Sequence, residues 1–326
     1  MKRMVISIGI LVILLVTFFP HPYCWCAEDP SKYPSKSITF IVGFGPGGGA
    51  DLTSRQLSEI AEKILKTPIV VENRAGGGGV IGINAIAKSP SDGYTIGSMG
   101  YNATIVLPHL RELPYKTKED FEFVMQFVDY LHWFVVSKDA SWKTFKDFVE
   151  DARKKPGEIS VNYPGAKLSE QIFIERVAAQ EKIKLSHVPY RSNSEQITSV
   201  LGGHTNAAFA AAVGPHIESG SLRPLAVEAN KRIKRFPEVP TFKELGYNFE
   251  KPRWTGIVAP KGVHRSILKK LEDAYTQAVY NSAYQELVER LQMVPVYRSG
   301  EDFKKKVFQD FDQQGQFLKT LGLLGK

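Results

Sequence analysis

Apolar and polar positions alternate along this chain in two rhythms. Residues 38–42 form a short continuous apolar run, of a length suited to a strand buried on both faces. Leu57, Ile60, Ala61, Ile64 and Leu65 then recur at helical spacing, with Arg55, Glu59, Glu62 and Lys63 on the other side, which predicts a helix with one inward face. Residues 68–71 predict a second strand, 80–88 a helix and 94–99 a third strand, so the chain opens as βαβαβ. Later segments continue the alternation: a helix over 144–155 stopped by Pro156-Gly157, and short strands near 159–161 and 185–188. A low-bulk strand over 207–213, a strand over 255–259 and helical spacing over 267–279 and 303–321 complete it. Strands alternating with helices predict an α/β protein built on largely parallel sheets.

The first residues follow another pattern. Lys2 and Arg3 precede residues 4–19, which are almost wholly apolar and shorter than the ~20 residues of a comfortable membrane span. Pro20, His21 and Pro22 break any helix there, and Cys24, Cys26 and Ala27 are small residues of the kind read at a signal-peptidase cut. The expectation is a signal peptide over residues 1–26, cleaved after Cys26 or Ala27. An uncleaved anchor is the alternative, and His21-Pro22-Tyr23 before Cys24 is not a lipobox. Both cysteines lie in this segment, so the mature chain has no thiol and no disulfide. Its 300 remaining residues suffice for two domains with well-buried cores. The net charge of +8 falls to +6 when Lys2 and Arg3 leave. The remaining basic residues are interspersed with acids and form no stripe, so a nucleic-acid partner is not expected.

Candidate chemistry is concentrated in glycine. Gly43-Phe44-Gly45-Pro46-Gly47-Gly48 matches a dinucleotide fingerprint between a strand and a helix, and Glu72 ends the next strand where a ribose-binding acid would stand. The export segment speaks against a nicotinamide cofactor, and a second glycine turn over 76–79 has no role in that fingerprint. Two such turns, each leading from a strand into a helix, aim backbone N–H groups and positive dipole ends into one crevice, which suits an anion. Glycine lets a ligand approach the backbone and adopts left-handed angles freely; ordinary turn glycines are the plainer alternative. Signals for catalysis are weak. Gly97-Ser98-Met99-Gly100 falls one glycine short of a nucleophile elbow, and His109, His132, His187, His204, His216 and His264 lack metal-ligand spacing. The expectation is therefore no enzyme, no metal and no cofactor; an exported hydrolase or dinucleotide enzyme remains the competing class.

Several strings occur together in a specific order: Gly47-Gly48-Gly49-Ala50-Asp51, Val71-Glu72-Asn73-Arg74-Ala75-Gly76-Gly77-Gly78-Gly79, Ser91-Asp92-Gly93-Tyr94-Thr95, His187-Val188-Pro189-Tyr190, Pro237-Glu238-Val239-Pro240-Thr241 and Gly256-Ile257-Val258-Ala259-Pro260. In them the chain resembles the Bug/TctC family of periplasmic solute-binding proteins, over essentially the whole mature length. The resemblance implies a two-lobed, type II-like periplasmic binding fold with two chain crossings, near residues 130–135 and 252–256. One lobe would combine residues 28–130 and 254–326, the other residues 131–253. It further implies a periplasmic monomer that binds a small carboxylate, a di- or tricarboxylate or an aromatic acid, and passes it to the membrane subunits of a tripartite tricarboxylate transporter. Some members of the family report instead to sensor kinases.

The ligand positions implied in the first lobe are Phe44, Pro46, Gly47, Gly48 and Asp51, then Gly77, Gly78, Gly79 and Tyr101. Those in the second are Pro164, Gly165, Ala166 and Lys167, then Arg191, Ser192, Asn193 and Ala210. Asp51 stands in a first helical turn, where an acid is favourable for structural reasons alone. Lys167 either supplies a cation to the ligand or sits in solvent at the cleft mouth. The second lobe departs from the family pattern in Tyr163-Pro164-Gly165-Ala166-Lys167 and in Arg191-Ser192-Asn193-Ser194. Asn206 and Ala210 stand where aspartates often occur, which implies a roomier, less acidic pocket floor and a ligand with negative oxygens at both ends and no amino group.

Overall fold

The computed structural model describes residues 29–248 and 253–324. The expected signal peptide lies outside them. The chain opens with β1 (Ile38–Val42), α1 (Gly49–Leu65), β2 (Ile69–Asn73), a 3-10 turn (Gly77–Gly79), α2 (Val80–Ala87) and β3 (Thr95–Gly100). A π-helical turn (Asn102–Val106) runs into α3 (Leu107–Leu110), and the long β4 (Phe121–Tyr130) follows. Next come β5 (His132–Ser137), α4 (Phe145–Lys154), β6 (Ser160–Tyr163), α5 (Ser169–Glu181), β7 (Ser186–Pro189), α6 (Asn193–Leu201), β8 (Ala207–Ala210), α7 (Gly214–Glu218) and β9 (Leu222–Glu228). The last elements are β10 (Arg253–Pro260), α8 (Arg265–Val279), α9 (Ser282–Arg290), β11 (Val294–Ser299) and α10 (Gly300–Thr320).

Among the described residues the strands form two sheets, in the orders β11-β4-β10-β3-β1-β2 and β7-β6-β8-β5-β9. In the first, β1 is parallel to both neighbours, with Thr39 opposite Val70 on one side and Thr95 on the other. Being paired on both sides and buried explains why it carries almost no polar residue. In the second, β6 lies parallel to β7 and β8, while β5 runs antiparallel to β8 and β9. The protein is thus an α/β chain of two lobes. Only Leu131 separates β4 from β5, although they belong to different sheets, and the chain returns to the first sheet between β9 and β10.

Each lobe has its own core. Leu57, Ile60 and Ala61 of α1 pack with Leu271 and Tyr275 of α8 against β1 and β4. In the other lobe, Phe134, Phe145, Phe148, Phe173, Phe209 and Phe242 form an aromatic cluster. There α4 starts from a capping box, in which Thr144 Oγ1 accepts from the Asp147 N–H and the Asp147 carboxylate accepts from the Thr144 N–H.

Differences from the sequence pattern have local causes. The strand expected over 207–213 stops at Ala210, because Ala212 takes φ +56° and α7 begins at Gly214. β9 escapes the pattern because Pro224 interrupts it; the strand lies at the sheet edge, where a missing N–H donor is tolerated. β4 escapes because glutamate, glutamine and aspartate are mixed into its apolar run.

Candidate ligand-binding cleft

The turn from β1 into α1 is shaped by its own side chains. The buried Asp51 carboxylate accepts from the Gly47 N–H at 2.9 Å, from Arg55 Nε at 2.9 Å and from Asn73 Nδ2 at 2.7 Å. Asn73 Nδ2 also donates to the Phe44 carbonyl at 3.0 Å. Of the two roles weighed for Asp51, the geometry shows the structural one: its oxygens hold the turn.

The second lobe closes on this turn. A Cβ added at Gly45 would lie 3.3 Å from Ser192 Cβ, and one at Gly48 would lie 3.5 Å from the Asn193 nitrogen. Ser194 Oγ donates to the Pro46 carbonyl at 3.0 Å, which ties the lobes together directly. The loop that matches the dinucleotide fingerprint is therefore covered. Glu72, the residue placed to bind a ribose, is paired with Arg74 at 2.8 Å on the lobe surface.

The glycine turn after β2 faces the segment between β6 and α5. Gly78 has φ +72°, and a Cβ there would sit 2.9 Å from Leu168 Cδ2. No other residue type meets both constraints without strain. Beside it Arg111 Nη2 donates to the Gly77 carbonyl at 3.2 Å.

Between the lobes lie two adjoining chambers that share Phe44 and Pro164. The outer one, about 580 Å³, is lined by the glycine turn, Pro164 to Lys167 and Arg191. Its charged lining residues are Arg111, Lys167 and Arg191, all exposed. The inner one, about 60 Å³, is lined by the rings of Phe44, Tyr101, Tyr130 and Trp254, by the polar Asn102, His132, Glu170, Arg253 and Thr255, and by Gly48 and Asn193 at the lobe contact.

His132, Glu170 and Arg253 line the same chamber and belong to a buried charged cluster that Glu228 completes behind them. Arg253, the first residue of β10, is ion-paired with Glu228 at the end of β9, lies 3.6 Å from Glu170 and is 3.3 Å from His132 Nδ1. His132 Nε2 lies 3.2 Å from Glu170. Asn102 Nδ2 donates to both Glu170 oxygens, at 3.1 and 2.9 Å, while its carbonyl oxygen accepts from the Ser169 N–H and hydroxyl at 3.0 and 2.7 Å. Burial pushes the Glu170 carboxyl up, but the His132 hydrogen bond and the Arg253 charge outweigh it and bring it down to about 2. Burial, with a smaller push from the Glu170 charge, raises the Tyr130 hydroxyl to about 12, against the lowering effect of its bond from Thr255.

Of the positions named from sequence, Phe44, Gly48, Tyr101, Pro164 and Asn193 line the inner chamber. Phe44, Gly77, Gly78, Gly79, Pro164, Gly165, Ala166, Lys167 and Arg191 line the outer one. Pro46, Gly47 and Ser192 stand just behind these surfaces and shape the turns. Ala210 does not face the cleft: it is fully buried in β8 opposite Trp133, and its neighbour Ala211 lines the inner chamber. Asn206 bonds Ser160 at an exposed edge. The inference of a less acidic floor is therefore corrected, since Glu170 lines that floor with Glu228 behind it. Sequence reasoning missed Arg111, Tyr130, His132, Glu170, Arg253, Trp254 and Thr255. Glu170 reads locally as an ordinary acid in a helix's first turn. The one available signal is that His132 and Arg253 fall within or beside the two expected crossings.

Comparison with known proteins agrees with this architecture. The family described as tripartite tricarboxylate transporter family receptor matches residues 53–323. A Cupriavidus necator protein described as "UPF0065 protein in gbd 5'region" is 33% identical over 299 residues, covering 90% of this chain and 89% of that one. The solved structure of the periplasmic binding protein BugD superposes with a TM-score of 0.84 at 26% identity, covering 90% of this chain and 100% of the other. An R. palustris protein solved with adipate shares the fold at 22% identity and a TM-score of 0.83, over 90% of this chain and 100% of that one. This chain belongs to the Bug/TctC family of tripartite tricarboxylate transporter receptors, which are solute-binding proteins.

Proposed function

We propose that the protein works in the periplasm as a monomeric receptor, enclosing a small carboxylate by hinge closure and handing it to the membrane subunits of a tripartite tricarboxylate transporter. The observation that carries this reading is the cleft itself. It is formed by the first lobe's two glycine turns and by Pro164 to Lys167 and Arg191 of the second, with cations at its mouth. The adipate held by a relative of the same fold supports a carboxylate as ligand. In this reading the hinge lies at Leu131 and between β9 and β10, with residues 28–130 and 254–326 moving as one lobe and 131–253 as the other. A ligand that touches both lobes stabilises the closed form through contacts absent from the open one.

X-ray scattering tests the mechanism. The radius of gyration should fall when a bound acid is added, and an unchanged profile at saturation would contradict hinge closure. Mass spectrometry of native complexes from the periplasm should show a released acid of unchanged mass, and intact-mass analysis of the exported chain should start near Ala27 or Glu28.

A further inference from the structure

The two lobes meet at the floor of the cleft through a joint made of protein groups alone. Asn102 starts the π-helical turn that follows β3 of the first sheet, while Ser169 and Glu170 open α5, between β6 and β7 of the second. The Asn102 side chain spends both of its ends on α5. Its Nδ2 donates to the Glu170 oxygens at 3.1 and 2.9 Å, and its Oδ1 accepts from the Ser169 N–H at 3.0 Å and hydroxyl at 2.7 Å. Arg253 Nε adds a bond to the Ser169 hydroxyl at 2.5 Å. Asn102 and Glu170 are only 7% and 3% exposed, so water competes little for these bonds, and the carboxylate acceptor strengthens them.

The contact continues along α5. Ile172 packs among Tyr101, Trp254, Phe303 and Val307, in a cluster whose other buried members, among the described residues, all belong to the first lobe. The Arg176 guanidinium lies over the Phe317 ring of α10, 4.9 Å from its centroid. At the mouth, by contrast, the direct bond from Ser194 to the Pro46 carbonyl is exposed to solvent. A rotation that opens the cleft therefore meets little resistance at the mouth but stretches the floor bonds, because Asn102 and Glu170 ride on opposite lobes.

We infer that Asn102 is a positioning residue: by tying the first turn of α5 to the first lobe, it biases the lobes toward closure ahead of the ligand. On the receptor reading above, on which this consequence rests, a ligand then meets a form that is already populated, and its apparent affinity rises in proportion to that population. A lost ligand contact would also lower affinity, since Asn102 lines the inner chamber. The lobe equilibrium without ligand distinguishes the two roles.

Both cysteines precede residue 27, so the chain from Ala27 onward takes spin labels only at introduced thiols. With Glu112→Cys and Glu158→Cys, exposed positions on opposite lobes, double electron–electron resonance measures the distance between labels in protein dialysed free of ligand. Asn102→Asp keeps the shape and the acceptor for Ser169 but sets a carboxylate against Glu170. The ratio of long-distance to short-distance populations should rise about tenfold or more. Adding Glu170→Gln exchanges amide and carboxylate between the two sites at unchanged total charge, the new amide donating to the new carboxylate, and should restore the wild-type distribution. A wild-type distribution in Asn102→Asp overturns the inference. A shift that persists in the double variant overturns it too, by showing that the effect does not pass through this pair. If a thermal melt shows Asn102→Asp unfolded, Glu170→Gln alone decides, because it replaces one of the two acceptor oxygens by a donor: a shift of at least about threefold is expected, and an unchanged distribution overturns the inference. No ligand enters this test, so its failure leaves the receptor reading standing.

Discussion

Arg253 in the inner chamber is buried and engaged with Ser169, His132 and Glu228, whereas Lys167 and Arg191 at the outer chamber stand exposed to solvent. All three are cations on one cleft, yet their physical roles differ. Removing a guanidinium from water is costly unless carboxylates surround it, and once they do, its charge is spent on the protein. An exposed lysine keeps its charge available for a ligand but holds it weakly, because water and salt screen it. Counting cations near a cleft therefore says little about anion binding until their partners are known.

The sharpest way to break this contrast is to remove the inner cation. Arg253→Met leaves Glu170 and Glu228 buried without their counter-charge, and the protein should lose about 3–5 kcal/mol of stability. Urea denaturation measures this; a loss below about 1 kcal/mol would show that the cluster is far better hydrated than its burial implies.

Acid probes the same cluster from the other side. The Glu170 carboxyl is depressed from 4.5 to about 2 in the folded state. Its contribution is thus fully present above the unfolded value and is lost as pH falls from 4.5 toward 2. The loss should be on the order of 3 kcal/mol, and it should be absent from Glu170→Gln. A variant with the same acid profile as the wild type would remove Glu170 as the cause.

Gly78→Val addresses lobe closure, with no charge changed. At φ +72° and 2.9 Å from Leu168, the new side chain opposes approach of the second lobe, while the sheet beneath is untouched. Ligand affinity should fall about 100-fold, near 2.7 kcal/mol, and the ligand-induced drop in scattering radius should shrink with it. Wild-type affinity in the folded variant would mean that closure does not bring these turns together.

The smallest effect is expected at the mouth. Arg111→Gln combined with Lys167→Gln should weaken binding of any acid about three- to tenfold at low ionic strength and far less at high salt, with stability changed by under about 1 kcal/mol. Equal losses at both salt concentrations would show that these side chains contact the ligand in a dry site.

Much of this molecule was legible before the fold was known, and the legible part is the part encoded locally. β1 is a contiguous apolar segment, α1 a regular amphipathic stripe, and the two glycine turns are uninterrupted strings, so neighbours in sequence are neighbours in function. The turns' place between the lobes was implied by resemblance, and their left-handed angles followed from glycine itself. Asp51 was correctly seen as having a helix-end role available to it, because that role involves only residues close by and the next strand.

What the tertiary structure alone decided is the content of the inner chamber. Asn102, His132, Glu170, Glu228 and Arg253 lie on five different elements or their ends, and no short-range pattern links them. Asn206 and Ala210 show the converse: positions that a linear reading aims at the cleft are turned away by the alternation of β8 and by the turn that ends it. Sequence settles which segments can be strand, helix or turn, because those preferences act over a few residues. Whether a charge reaches a ligand or is neutralised by another charge depends on distances of a few ångströms between remote segments, and only the packed lobes set those.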